Sequence, residues 1–178
     1  MISTAFKVGA VSALAIASSL TFSVASQEIG LASTLPVPSQ KRLAQAPASL
    51  QTLEQAVLTQ INQYRSSRKL PPLALDTRIS DQARGHSQAM ANGRVTFSHD
   101  GFQQRVAAIA RTIPYNRAAE NVAYNQGYSD PVRQAVQGWL KSTGHRQNIE
   151  GSFNLTGIGI AQNAKGEYYF TQVFIRRR

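Results

Sequence analysis

The chain has 178 residues, 42% of them hydrophobic and 16% charged, which suits one packed domain with appendages and excludes a wholly disordered polymer. It contains no cysteine, so a disulfide scaffold, a zinc finger, an iron–sulfur centre and a thiol nucleophile are excluded. Nineteen Lys and Arg stand against nine Asp and Glu, a formal charge of +10, which raises nucleic acid, anionic lipid and acidic polymers as partners.

The first segment bears on compartment. Lys7 is the sole charge in residues 1–26, and an apolar run from Val8 to Val24 ends in the small residues Ala25 and Ser26. A basic start, a hydrophobic stretch and a small-residue exit predict a secretory signal peptide over residues 1–26, cleaved after Ala25 or Ser26. Without it, eighteen bases face nine acids. Residues 27–49 hold three prolines and few large hydrophobes, and read as a Pro-rich linker. Residues 50–178 are then the domain. No later stretch is apolar and long enough to span a bilayer, so the expected product is secreted or held at the cell envelope, and is not an integral membrane protein.

Four helices follow from periodicity. Leu50, Leu53, Val57, Ile61 and Tyr64 share one face, with Ser49 as cap and Pro71-Pro72 as the stop. Ile79, Ala83, His86 and Met90 mark a second helix, begun near Asp76 and stopped near Gly93. Phe102, Val106 and Ile109 mark a third, starting at Asp100. Asp130 caps the fourth, Pro131 takes its first position, Val132, Val136, Trp139 and Leu140 line its face, and Gly144 ends it. Beyond it, Leu155–Ala161 and Tyr168–Ile175 are β-branched and aromatic around the turn residues Asn163–Gly166, which predicts an antiparallel hairpin. Asn121–Tyr124 reads as a third strand. Helices first and a hairpin last predict an α+β fold, with helices packed on a small antiparallel sheet.

The basic residues are scattered except for Arg176-Arg177-Arg178. No aromatic-interleaved basic run or nucleic-acid-binding signature accompanies them, so no nucleic-acid partner is expected. Candidate chemistry is confined to three histidines and nine carboxylates. His86 lies on an apolar helix face and reads as a packing residue. His99 and His145 fall at element ends, where site residues concentrate. Glu120 stands just before an apolar strand and needs a partner. Two imidazoles and a carboxylate suit a zinc ion with an open position, or equally a proton-transfer pair. The separations of 21 and 25 residues do not decide between them.

Seven stretches in order resemble the CAP superfamily (cysteine-rich secretory, antigen 5 and pathogenesis-related proteins; SCP-like extracellular proteins) in its compact bacterial form. They are Ile61–Arg65 with Leu70–Asp76, Ala83–Met90, Phe97–His99, Glu120–Ala123, Trp139–Ile149, Gly157–Gly159 and Thr171–Phe174. The resemblance implies an α-β-α sandwich and a cleft lined by two histidines and two acids that binds a divalent metal in several members. Position by position, His99, Glu120 and His145 match three of the four, and the fourth acid falls on Ser142. Asn121 and Asn148 also match, in the structural role of holding loops by hydrogen bonds.

The expected function is an exported binding protein whose cleft holds zinc or another divalent cation and a small-molecule, lipid-like or cell-wall ligand. The alternative is a metal-dependent hydrolase acting on peptide or wall substrates. A third reading makes the domain a scaffold tethered to an acidic envelope polymer, with Arg176–Arg178 contributing to that contact.

Overall fold

A computed structural model describes the backbone of Ser3–Lys7 and all of residues 49–178. The expected linker except Ser49, and all of the expected signal peptide except Ser3–Lys7, lie outside the described residues. Ser49 begins the domain as an N-cap, its Oγ accepting the Thr52 amide at 3.1 Å, and α1 runs Leu50–Ser67. Asp76 caps α2 (Thr77–Ala91) in the same way through the Arg78 amide. Asp130 caps α4 (Pro131–Lys141), with proline in the first turn. Each cap satisfies one of the amide donors a helix start leaves unpaired.

Two helices depart from expectation. The third, α3, spans Phe102–Ala110 and is preceded by Gly101 in the left-handed region (φ 76°), not by Asp100 as cap. Asp100 instead gives its carbonyl to Arg105. The fourth helix ends at Lys141, and a fifth, α5 (Thr143–Glu150), begins after a one-residue break at Ser142. Gly144, which reads as a stop, lies inside α5. Ser142 makes the break because its backbone is extended (φ −84°, ψ 124°), closing one helix and opening the next.

Among the described residues the sheet has the order β1-β3-β5-β4-β2, with β1 Ser3–Lys7, β2 Ala74–Leu75, β3 Tyr115–Gln126, β4 Leu155–Gln162 and β5 Glu167–Arg177. The expected hairpin is β4–β5, and the expected third strand is the centre of β3. These three pair antiparallel, but β2 joins β4 and β1 joins β3 in parallel. The sheet is therefore mixed, where an antiparallel one was expected.

Side chains alternate across this sheet as the pleat requires. Ala119, Ala123, Phe170, Phe174, Ile158 and Ile160 face Val57 and Ile61 of α1 and Val136 and Trp139 of α4. Ala118, Val173 and Ile175 face Ile79 and Ala83 of α2 and Phe102, Val106 and Ile109 of α3. The result is an α-β-α sandwich with an apolar layer on each side of the sheet. Gly157 and Gly159 show why the motif Gly-Ile-Gly is needed: a Cβ on either would overlap the backbone of α2 at Ile79–Ser80 or Ala83–Arg84. Their absent side chains let α2 lie directly on β4, while Ile158 and Ile160 fill the opposite layer.

Three arginines that read as scattered surface charge are structural. Arg65 is 1% exposed and donates to the carbonyls of Pro71, Ile149 and Gly151, tying α1 to the last turn of α5 and the residue after it. Burial lowers its pKa from the ordinary arginine value. Arg84 grips the buried Glu54 carboxylate at 2.7 Å, and Glu54 Oε1 accepts the Ile160 amide of β4. With Ser80 Oγ accepting the Ile158 amide, two β4 amides find side-chain acceptors where β2 has ended, which blunts that edge of the sheet. The third, Arg105, belongs to the site.

Candidate functional site

Glu120 is the centre of the site and is fully buried on β3. A carboxylate there must be neutralised or well hydrogen-bonded, because desolvating a lone charge is prohibitive. Two residues from the far side of the α2–α3 connection do this. Arg105, 9% exposed on α3, donates from Nη2 to Oε1 at 2.7 Å and from Nε to Oε2 at 2.9 Å. His99 Nδ1 lies 2.9 Å from Oε1. As Glu120 is the acceptor, Nδ1 carries the proton of this bond.

The connection is built to deliver these groups. His86 on α2 is buried and donates from Nε2 to the Ser98 carbonyl at 2.9 Å, fixing the residue beside His99. Burial chiefly, and then the nearby Arg105 charge, hold the His86 pKa below its usual value of 6.5, consistent with a neutral ring used as a strut. Gly101 then turns the chain into α3, and Arg105 Nη1 donates to the Asp100 carbonyl at 2.8 Å. A side chain at Gly101 would be strained by its φ and would also crowd Arg105 Nη1.

On the other flank, α5 carries His145, buried with 0% exposure, and Asn148. Asn121 Nδ2 donates to the His145 carbonyl at 3.1 Å. Asn148 Nδ2 donates to Asn121 Oδ1 at 2.9 Å and to the Glu120 carbonyl at 3.3 Å. The two asparagines thus clip α5 to β3 at the position of Glu120. Ser142 is half-buried at the α4–α5 break, and its carbonyl accepts the Arg146 amide at 2.9 Å.

His99 and Glu120 are therefore brought into contact, and α5 is docked beside them. His145 sits on a helix, not at the loop position expected of it. The partner that sequence reading missed is Arg105. It follows Gly101 by four residues, a helical spacing that carries no signature of its own.

The expected metal can be tested against this donor set. Both oxygens of Glu120 are engaged by a guanidinium, and Ser142 supplies no carboxylate in the fourth position. Among the described residues, no group of three or more His, Cys, Asp or Glu is arranged to hold a metal ion. As they stand, Glu120 and Ser142 offer no free carboxylate to a three-ligand metal centre, while His99 Nε2 is buried with no hydrogen-bond partner among the described residues.

A cavity of about 380 Å³ opens on β3 just before Glu120. Gln103 of α3, Tyr115, Asn116 and Arg117 of β3, and Asn148 of α5 line it. Its polar groups are amides, a phenol and one guanidinium. The Arg117 guanidinium also lies 5.2 Å from the centre of the Phe153 ring, a cation–π distance that orients it.

The fold and this cleft define an SCP-type domain. The cysteine-rich secretory protein family, CAP, matches residues 58–174, and the chain belongs to that family. The uncharacterized protein YkwD of Bacillus subtilis (strain 168) is 32% identical over 152 residues, covering 81% of this chain and 56% of its own. An extracellular protein containing a SCP domain from Bacillus anthracis str. Ames is 32% identical with a TM-score of 0.55, covering 74% of this chain and 45% of that one. An outer surface protein from Borrelia burgdorferi shares the fold, with a TM-score of 0.63 at 17% identity, covering 74% of this chain and 97% of that one. The chain thus spans only about half the length of the two Bacillus proteins. No helix among the described residues is long and apolar enough to cross a membrane.

Proposed function

We propose that the protein is an exported CAP-domain binding module that holds a polar envelope-derived ligand, bearing carboxylates or amides, in the cavity beside Glu120 without turning it over. The observation that carries this reading is the double engagement of Glu120. A carboxylate clasped by Arg105 through both oxygens and bonded to His99 is a poor general base and a poor metal ligand. The amide and guanidinium lining of the adjoining cavity suits carboxylate and peptide groups better than an acyl chain. Export rests on the leader-like residues 1–26 and on the outer-surface and extracellular relatives.

The test is calorimetry with two ligands. Soluble cell-wall fragments should bind the protein, and Arg117→Ala should weaken that binding about tenfold, the loss of a charged hydrogen bond. Zinc should give no binding at micromolar concentration. Micromolar zinc affinity that disappears in a folded His99→Ala/His145→Ala variant would overturn the metal-free reading, and turnover of the wall fragments would overturn the non-enzymatic one.

A further inference from the structure

A second cavity, sharing no lining residue with the one beside Glu120, lies toward the other end of β3. It has a volume of about 200 Å³ and four lining residues, Phe97, Tyr124, Glu167 and Tyr169. Tyr124 and Tyr169 are register partners on β3 and β5, with ring centres 5.2 Å apart and planes tilted by 52°. Phe97, from the α2–α3 connection, sits 6.3 Å from Tyr124 at 55°. Three half-buried rings and one carboxylate therefore bound one cavity.

Glu167 is the only charged group of the lining, in a chain with more than twice as many bases as acids. Its position is fixed by the β4–β5 turn, where Asn163 Oδ1 accepts the amides of Lys165 and Glu167 at 3.0 and 3.1 Å. Tyr124 Oη donates to Oε1 at 2.8 Å. Tyr169 Oη donates to Oε2 at 3.2 Å, and Asn163 Nδ2 donates to Oε2 in a short bond. Three donors thus fill three of roughly four lone-pair sites that a carboxylate offers. The group keeps its negative charge but has little hydrogen-bonding capacity left for a newcomer.

That combination discriminates among cations. An ammonium or guanidinium entering the cavity would lose water and find few acceptors for its N–H groups. A quaternary ammonium has no N–H to satisfy, and needs only ring faces and a nearby negative charge. We propose that this cavity is a binding site for a quaternary ammonium group, held by the faces of Phe97, Tyr124 and Tyr169 with Glu167 as counter-charge. The group can be carried by a free choline-like solute or by a choline lipid headgroup, and the same site chemistry serves both.

The full chain titrated with choline, followed by the NMR shifts of the Phe97, Tyr124 and Tyr169 rings, tests this. Choline should saturate in the millimolar range, and its neutral carbon isostere 3,3-dimethylbutan-1-ol should bind about tenfold more weakly, between the sizes of an exposed and a fully desolvated cation–π contribution. Phe97→Leu, which removes a ring outside both core layers, should weaken binding several-fold while unfolding at an unchanged temperature. Cosedimentation with phosphatidylcholine vesicles that is lost in Phe97→Leu assigns the lipid source, whereas choline binding without cosedimentation assigns the free solute. Equal binding of choline and the neutral isostere, or no saturation by choline at tens of millimolar, overturns the proposal.

Discussion

Removing Arg105 is the sharpest test of how Glu120 is accommodated inside the domain. In Arg105→Met the bidentate bonds of 2.7 and 2.9 Å disappear, and Glu120, with no exposed surface, keeps only His99. Breaking a buried ion pair by deleting one partner costs about 3–5 kcal/mol, most of it the uncompensated charge left behind. The lower end applies here, because the other acceptor of a short Arg105 bond is the carbonyl of the exposed Asp100, which water can reach. For the 129 residues from Leu50 to Arg178, an unfolding entropy of about 2.1 cal/mol/K per residue turns 3 kcal/mol into a fall in Tm of roughly 11 °C. Urea unfolding followed by the fluorescence of Trp139, fully buried and the sole tryptophan, measures the free energy. The double variant Arg105→Met/Glu120→Gln should recover much of the loss, since no charge is then stranded. A single-variant cost below about 1 kcal/mol, or a double variant no more stable than the single one, would refute the reasoning.

Other outcomes follow from the same geometry. Gly159→Ala should destabilise by about 3 kcal/mol or more in the same urea assay, at or above the top of the usual overpacking range, because the clash is with helix backbone and not with a movable side chain. His86 gives a pH effect of defined sign. Its folded pKa lies below the unfolded value of 6.5, so its contribution to stability is complete above that value and is lost as pH falls from there through the folded pKa. Denaturation between pH 7.5 and 5 should therefore show a decline that is shallower in His86→Gln; equal slopes in the two proteins would remove His86 as a source. Tyr169 is pushed up to about 12, first by burial and then by the Glu167 charge. Ultraviolet titration should accordingly show a late-ionising tyrosine that ionises earlier in Glu167→Gln, and no change there would mean that the carboxylate is too well screened to act.

The sequence by itself determined what depends on neighbours along the chain. Ser49, Asp76 and Asp130 start helices because a short oxygen-bearing side chain can reach an amide two or three residues on, wherever the helix later packs. The alternation of Gly157, Ile158, Gly159 and Ile160 declares a strand with one flat face and one filled face, since the pleat has period two. The ordered run of motifs from Ile61 to Phe174 marked the family, and with it the sandwich.

Only the tertiary structure decided which charges meet. Arg65, Arg84 and Arg105 look alike in sequence, and each is structural because packing places carbonyls or a carboxylate within reach of its guanidinium. Glu120 and Arg105 are 15 residues apart on different elements, so their pairing is invisible until α3 is laid across β3. The break at Ser142, which puts His145 on a helix, likewise follows from the docking of α5 through Asn121 and Asn148, against the local preference of Gly144 to end a helix. Local rules specify the elements because their bonds span three or four residues. The bonds that hold the Glu120 carboxylate and clip α5 to β3 span 15 to 28 residues, and those exist only once the layers have closed.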